Sequence, residues 1–497
     1  MSDGSTRALA IRGATWATAG IGLQRVVQTL SVLFLARLLI SEDFGLVAIA
    51  VLVLNFVNRA KTLGLHTALV QYEGNHRTAA DACFIINGFL TTITIGLVLA
   101  ASPLASRFFG DPRAGALLAL MSLRLIPQAL AAVPSTLAVK ALNFRKQALI
   151  EASEGLISAV VAVILALLGW GPWALVAGFL AGSTAGAALW WIRPGWTPRL
   201  YLDREVTAHL MHAGIRIWSA GNLAHIIDSA NRLFIGGLLG LVQLGYYEIV
   251  SRVVHAPIQS LLGIHDRVTI SAFCREQDDR EKVGRWFLRL AGMMLILTSL
   301  FAGPLFFFSD ILIPTLFGPG WEAAIKPARA LALFTFLAPL LSAPAVFVAM
   351  RQTGLLLKFT TIRAAITLGL LFAAAHISLT AVCTAESLAA LVFAPINVAL
   401  VSQMTGLRIR AILSTLSVPA AGLCAFSASA LGARFFFPDS LNGPSIGSLF
   451  GFLTPSVAAL VLAVFVMRPH LIGEIRAIVS DAVGVGSAGP ATTSELR

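Results

Sequence analysis

Residues 79–102 read AADACFIINGFLTTITIGLVLAAS and carry a single charged side chain. As a helix, a run of this length is long enough to cross the hydrocarbon core of a bilayer, which is about 30 Å thick. Inside that core the backbone groups must be hydrogen-bonded within the segment, so the run is predicted to be helical. Comparable apolar runs recur from one end of the 497-residue chain to the other. The sequence therefore predicts an all-α integral membrane protein.

The composition supports this prediction. Hydrophobic residues make up 57% of the chain, charged residues only 12%, and the mean hydropathy is +0.83. Soluble domains carry roughly 25% charged residues, and no long stretch here is polar enough to form one. The alternating segments of a membrane β-barrel are not seen either. Fourteen spans are predicted: 14–39, 44–64, 79–102, 114–136, 147–169, 173–192, 211–239, 242–263, 284–308, 323–349, 355–376, 380–402, 411–431 and 446–467.

The lysines and arginines predict the orientation of these spans. When residues near span ends are counted with the adjoining loop, 23 of the 36 fall on one side, 4 on the opposite side and 9 deeper within spans. By the positive-inside rule both termini are cytoplasmic, and we expect a multi-pass protein of the bacterial inner membrane. The net charge of +12 is explained in the same way, since no basic motif that would bind nucleic acid is present. The start, MSDGSTRALAIRG, is interpreted as leading into a retained first span.

An internal repeat organises the spans. Residues 25–45 (RVVQTLSVLFLARLLISEDFG) match residues 225–245 (HIIDSANRLFIGGLLGLVQLG) without gaps at an offset of 200. Chance similarity between apolar helices is the alternative. A repeat of six spans predicts two lobes in the same orientation, as in transporters built from parallel repeats. The predicted divisions are an N-lobe (1–195), a C-lobe (196–405), two extra spans (406–470) and a cytoplasmic, largely disordered tail (471–497).

No enzyme, metal or cofactor site is predicted. The sequence has no HExxH or GxxxxGK[ST] motif and no cluster of His and Cys ligands. Glu42 and Asp43 occupy a predicted outer loop, where acidic residues of membrane glycosyltransferases occur. That loop is about four residues long, too short to hold a sugar acceptor.

Ionisable residues deep in the spans are the functional candidates, because a charge at mid-membrane costs roughly 3 kcal/mol unless it meets water or a partner. Four arginines are predicted at such depth: Arg25, Arg124, Arg232 and Arg252. Asp228 precedes Arg232 by four residues and Glu248 precedes Arg252 by four, so internal ion pairs are an alternative for these two.

Arg25 and Arg124 have no acidic neighbour in sequence, which predicts an aqueous cavity or an anionic ligand, and Pro127 predicts a kink beside Arg124. At the repeat offset, Arg25 corresponds to His225 and Gln28 corresponds to Asp228. These polar patches at mid-depth predict a cavity between the lobes.

Guanidinium groups suit phosphate or pyrophosphate, whereas Asp228, His225 and Glu248 are candidates for coupling to protons. Hydrogen bonding between helices is the simpler interpretation of the repeat-related pair. Carboxylates near helix starts, such as Glu151, Glu154 and Asp81, are explained by the helix dipole.

Several phrases together resemble one known family. They are LARLLISEDFGLVAIAVLVLNFV with GLHTALVQ (35–57 and 64–71), LNFRKQALIE (142–151), ANRLFIGGLLGLVQLGYYEIVSRVVHAPIQ (230–259) and FGPGWEAAIKPARALAL (317–333). They are similar to polysaccharide flippases of the Wzx type, in the multidrug/oligosaccharidyl-lipid/polysaccharide exporter superfamily, and among these to the exopolysaccharide branch that includes succinoglycan.

The resemblance implies two six-helix lobes with alternating access. It also implies a substrate, undecaprenyl-diphosphate-linked oligosaccharide, bound by cationic cavity residues such as Arg25 and Arg232. Membrane lipids are expected partners, with a polysaccharide polymerase and a chain-length regulator as further candidates. A drug or cation antiporter of the same fold remains an alternative, as does, less favoured, a membrane glycosyltransferase or polymerase.

Overall fold

The described part of the chain is helical throughout, with short connections and no β-strand. The computed structural model describes Gln24 and residues 26–141, 143–192, 195–199, 201–221, 230–254, 279–341, 344–436 and 446–467. The helices, in chain order, are α1 (Val26–Leu38), α2 (Ser41–Thr62), α3 (Leu65–Gln71), α4 (His76–Phe109), α5 (Pro112–Ser122), α6 (Leu125–Lys140), α7 (Phe144–Leu167), α8 (Pro172–Trp191), α9 (Arg204–Gly221), α10 (230–239, with a π-helical end Ile235–Leu239), α11 (241–254), α12 (Arg280–Phe307), α13 (Ser309–Phe317), α14 (Ile325–Leu341), α15 (Pro344–Ala349), α16 (Thr353–Ala375), α17 (Leu379–Thr405), α18 (Ile409–Phe436) and α19 (Ile446–Met467).

Eleven helices within these described residues are long and apolar enough to cross a membrane. Each coincides with one predicted span, with α5 and α6 together forming the fourth. The other three predicted spans, 14–39, 211–239 and 242–263, run partly outside the described residues. The protein is therefore a multi-pass, all-α membrane protein, and the count of fourteen stays a prediction.

Polar side chains fix where several helices begin. Asn75 caps α4 by accepting hydrogen bonds from the backbone N–H groups of Arg77 and Thr78. Asn143 caps α7 and Asp279 caps α12 in the same way. Each cap bonds N–H groups that have no partner inside the helix, and the apolar run that follows can then continue without interruption.

The helices divide into two units. The first contains Met1–Glu248, Leu316–Trp321 and Ala375–Leu379, and the second contains Ile249–Thr315, Glu322–Ala374 and Thr380–Arg497. The predicted lobe boundaries, near residues 195 and 405, stay predictions. The predicted tail, 471–497, lies outside the described residues.

In the first unit, α7 and α8 pack closely through glycine. A Cβ placed on Gly178 would lie 2.6 Å from the carbonyl oxygen of Ser158, and one on Gly182 would lie 2.6 Å from that of Glu154. Small residues that allow backbones to approach are a common means of helix packing where lipid replaces water. Beside this pair, Leu69, Cys83 and other buried side chains join α3, α4, α6 and α9 in one core.

In the second unit, α12 lies between α14 and the pair α18–α19. Gly303 receives the ring of Phe426 from α18, and Phe308 and Phe452 continue that aromatic contact towards α19. Arg434 at the end of α18 bonds the carboxylate of Asp310 at 2.5 and 2.7 Å. The last two spans, which the sequence left as an unexplained addition, are thus packed on α12.

Candidate functional site

The site is built where the fourth span breaks. Backbone N–H groups of Leu123 and Arg124 bond carbonyls three residues earlier, so the last turn of α5 is tightened. Pro127 has no N–H to give to the carbonyl of Leu123, and Ile126 donates to that oxygen instead at 3.1 Å. The helix is therefore interrupted a few residues before the proline, and Arg124 lies at the junction of α5 and α6.

Arg124 lies in the interior of the first unit with few partners. Its side chain is 23% exposed, and Nη2 is 3.9 Å from Oε1 of Glu154 on α7. Its guanidinium carbon lies 5.0 Å from the ring centroid of Phe179 on α8, a cation–π distance. Nε is buried without a hydrogen-bond partner. In the part of the chain that the structure describes, this guanidinium donates no hydrogen bond.

The nearby carboxylate corrects the sequence interpretation in one respect. Arg124 has no acidic neighbour in sequence, but Glu154 approaches it from another helix, 30 residues further along the chain. Glu154 had been assigned to the helix dipole alone. Sequence spacing detects partners on the same helix, and this partner is brought by the packing of α7.

A small recess opens beside Arg124, with a cavity volume of about 10 Å³, which is room for about one water molecule in this conformation. Its lining comes from α2 and from the junction of α5 with α6: Val51, Leu54, Asn55, Asn58, Met121, Arg124, Leu125 and Gln128. We call this set the recess. It combines one cation with three amide side chains, which both donate and accept hydrogen bonds. Such a lining suits an anion with several oxygens, or polar hydroxyl groups.

The other predicted site residues lie elsewhere. Nε of Arg232 donates to Oε1 of buried Glu248 at 2.5 Å, joining α10 to α11. Glu248 had been predicted beside Arg252, which is exposed on α11, and Gln28 is exposed on α1. None of these four residues lines the recess.

Arg25, His225 and Asp228 lie outside the described residues, so the predicted pairing of Asp228 with Arg232 and the polar faces of the first and seventh spans stay predictions.

Sequence reasoning missed a buried lysine. Lys61 lies near the end of the predicted span 44–64 and was not among the candidates, but in the structure it is 6% exposed on α2 and donates to Oγ1 of Thr91 at 2.6 Å. Thr91 in turn donates to the carbonyl of Asn87, one turn earlier on α4. Lys61 follows Asn58 by three residues, so polar groups continue along α2 from the recess. The sequence signal that could have identified Lys61 is the helical spacing of the polar residues Asn55, Asn58 and Lys61.

The ends of α2 and α11 cross at two glycines. A Cβ on Gly45 would lie 1.9 Å from the carbonyl oxygen of Leu241, and one on Gly245 would lie 1.7 Å from that of Ser41. We call Ser41, Gly45, Leu241 and Gly245 the outer crossing. Its two contacts are related by the same offset of 200 residues as the sequence repeat. Because both positions are glycine, the two backbones can touch.

Trp321 closes the same end of the first unit. It is 2% exposed, and its Nε1 donates to the carbonyl of Ala36 at 2.8 Å. Phe44 and Tyr246 lie edge-on to its ring at centroid distances of 5.6 and 5.7 Å. Gly320, just before it, has a φ of +95°, a backbone conformation that favours glycine. A connecting loop is thereby held against α1, α2 and α11.

The acidic pair at the start of α2 is structural. Glu42 and Asp43 lie in the first helical turn, not in a loop as predicted. Glu42 bonds Arg113, which also bonds Asp111 at 2.8 Å, while buried Asp43 accepts from the backbone N–H of Ile40. The hydrogen bond from Arg113 holds the pKa of Asp111 below its ordinary value.

Solved membrane transporters share this arrangement of helices. The structure of the lipid II flippase MurJ in an inward closed conformation matches 92% of this chain and 99% of that one, with a TM-score of 0.70 and 14% identity. An inward-facing multidrug resistance MATE family transporter of the MOP superfamily matches 76% of this chain and 96% of its own, with a TM-score of 0.59 and 16% identity. The class is therefore a polytopic helical membrane protein with a transporter fold.

The family follows from the sequence match. Residues 34–326 match the family described as polysaccharide biosynthesis protein, and the chain belongs to that family. This confirms the resemblance predicted from the sequence.

Two curated relatives are similar over 60–65% of this chain. The succinoglycan biosynthesis transport protein ExoT of Rhizobium meliloti is 29% identical over 60% of this chain and 60% of its own length. The lipopolysaccharide biosynthesis protein WzxC of Escherichia coli is 24% identical over 65% of this chain and 66% of its own. The chain thus spans about 60–66% of the length of these relatives.

Proposed function

We propose that the protein is a flippase for undecaprenyl-diphosphate-linked oligosaccharide. It moves the repeat unit from the cytoplasmic to the periplasmic leaflet, by alternating access, for synthesis of an exopolysaccharide of the succinoglycan type. The observation that carries the proposal is the recess with Arg124. Family membership and the transport protein of succinoglycan biosynthesis among the relatives support the substrate class.

The chemistry of the recess fits the head group of that substrate. A diphosphate offers several charged oxygens, and a guanidinium fork binds such oxygens bidentately. Arg124 has its donors unused by the described residues, so it can bond a ligand without first breaking internal hydrogen bonds. The amides of Asn55, Asn58 and Gln128 can complete the contacts to phosphate or sugar oxygens.

The alternatives fit less well. A cation antiporter requires a negative binding site, whereas the charged residue that lines the recess is an arginine. A glycosyltransferase or polymerase would need a free acidic group at the outer surface. Glu42 is bonded to Arg113 and Asp43 is buried, so this pair supports a structural role and no enzyme activity is proposed.

Alternating access requires that one side of the membrane be closed when the other is open. We assign the outer crossing and Trp321 to the closure on the periplasmic side. The outer crossing joins α2 to residues of the second sequence repeat, and Trp321, in a later loop, bonds α1. In the outward-open state these contacts would separate, while the recess opens to the periplasm.

The cellular setting follows from the charge distribution. We propose the bacterial inner membrane, cytoplasmic termini, and two six-span lobes divided near residues 195 and 405. Reporter fusions test this topology: a fusion at residue 105 should report the periplasm and one at residue 270 the cytoplasm. The reverse pattern would contradict the orientation. Membrane lipids surround the exposed apolar faces, and a polymerase and a chain-length regulator are proposed as partners.

The function is tested in a bacterium that lacks its own exopolysaccharide flippase. The protein should restore polymer production, and Arg124→Ala should abolish it while the variant still inserts in the membrane. Arg107→Ala is the matched control, because it removes the same charge from an exposed position at the end of α4. Normal polymer from the Arg124 variant would overturn the proposed site.

A further inference from the structure

Glu154 is held beside the recess by features that its own helix does not explain. Its Oε1 lies 3.9 Å from Nη2 of Arg124, and its side chain is 33% exposed. A carboxylate one turn earlier, Glu151, accepts a hydrogen bond from Gln147 at 2.8 Å along the same helix. Both carboxylates lie two to three turns inside α7, beyond the first turn where the helix dipole acts, so the dipole does not explain why one of them reaches Arg124.

The neighbouring helix leaves space for this carboxylate. A Cβ on Gly186 of α8 would lie 3.0 Å from Oε2 of Glu154, and one on Gly182 would lie 2.6 Å from the carbonyl oxygen of Glu154. Neither glycine has a positive φ. The close approach of α7 is therefore the reason for glycine at these positions, and it gives the Glu154 side chain a defined place.

The ion pair is loose by the standard of the same protein. A separation of 3.9 Å is too long for a hydrogen bond, so Glu154 neutralises Arg124 without occupying its N–H donors. The pair of Arg232 and Glu248 is different, because the two groups bond at 2.5 Å and Glu248 is buried. Arg232 is thus engaged by its carboxylate, whereas Arg124 remains able to bond a ligand.

We propose that Glu154 is the resident anion of Arg124, which balances this arginine in the empty recess and competes with the incoming diphosphate for it. The proposal rests on the proposed flippase function. A deep arginine without a counter-ion would be costly in the membrane, and one that bound diphosphate without competition would release it slowly. Glu154 limits both effects, since transport requires binding that is weak enough to reverse.

The test measures binding and transport separately. Purified protein in detergent is titrated with a fluorescent undecaprenyl diphosphate, and transfer of the lipid-linked oligosaccharide is followed in proteoliposomes. Glu154→Gln should bind the probe roughly two- to fivefold more tightly, the range for removal of a partly exposed competing charge. Its rate of transfer should fall, because release is slower. Glu151→Gln removes the same charge one turn away and should behave as wild type.

A second variant acts on position, not on charge. Gly186→Ala places a methyl group 3.0 Å from Oε2 and should push the carboxylate from its place. We expect its affinity to change in the same direction as that of Glu154→Gln. Unchanged or weaker binding by Glu154→Gln would overturn the proposal. Glu154 would then position Arg124 for the ligand and would not compete with the ligand. Failure of the flippase proposal has a different signature: Arg124→Ala would bind the probe as tightly as wild type, or wild type would not bind it.

Discussion

Replacing Gly45 by alanine tests whether the outer crossing is a closure. The new Cβ would lie 1.9 Å from the carbonyl oxygen of Leu241, and real Cβ contacts essentially never fall under 3.0 Å. The helices would have to separate by about 1 Å or more. Overpacking of this kind costs about 1–3 kcal/mol. Because the cost falls on the closed state alone, the ratio of outward-open to outward-closed protein should rise by roughly 5- to 150-fold.

The assay reads the accessibility of the recess from each side. A cysteine at Asn55, in a protein whose native cysteines are replaced, is labelled with a membrane-impermeant thiol reagent. Gly45→Ala should speed labelling from the periplasmic side and slow it from the cytoplasmic side. The matched control is Gly96→Ala on α4, where a Cβ would meet nothing within 4 Å. Labelling rates equal to those of wild type, in a Gly45 variant that purifies as a folded protein, would refute this reasoning.

Three further predictions concern stability in detergent, measured by thermal unfolding. Trp321→Ala should destabilise the protein by about 3–5 kcal/mol, because a buried indole and its hydrogen bond are lost, whereas exposed Trp170→Ala should change little. Arg232→Met should lower the free energy of unfolding by about 3–5 kcal/mol, because it leaves the carboxylate of Glu248 buried and unpaired. The double variant with Glu248→Leu should recover most of that free energy. No recovery would argue against the pair. The pKa of Asp111 is lowered in the folded protein, so its interaction with Arg113 stabilises the fold at neutral pH, and this stabilisation is lost as the pH falls below about 4. Asp111→Asn should therefore remove this loss of stability at acid pH. An unchanged dependence of stability on pH in the variant would contradict the assignment.

The spans were predictable because one physical requirement dominates them. A helix that crosses the bilayer must be long and apolar, and that requirement is visible in each run of the sequence. The break before Pro127 was predictable for a similar reason, since a missing N–H disturbs only its own helix. The alignment of 25–45 with 225–245 also paired Gly45 with Gly245, and these two glycines make matching contacts between α2 and α11.

The site was harder to predict because its contacts join distant parts of the chain. Arg124 meets Glu154 only through the packing of α7, and no spacing rule on one helix relates the two. Lys61 was not a candidate because a lysine near the end of an apolar run is expected to extend to the membrane surface. Its burial depends on α4 supplying Thr91. Charge patterns identified the deep arginine, and packing decided what surrounds it.

The central claim is that Arg124 in the recess receives the diphosphate of a lipid-linked oligosaccharide during its transfer across the membrane. The most direct measurement is transfer of a fluorescent undecaprenyl-diphosphate oligosaccharide in proteoliposomes of the purified protein. We predict transfer well above empty liposomes for wild type and Arg107→Ala, and transfer near the empty-liposome level for Arg124→Ala. Equal rates for wild type and Arg124→Ala, or no transfer by the wild type, would contradict the claim.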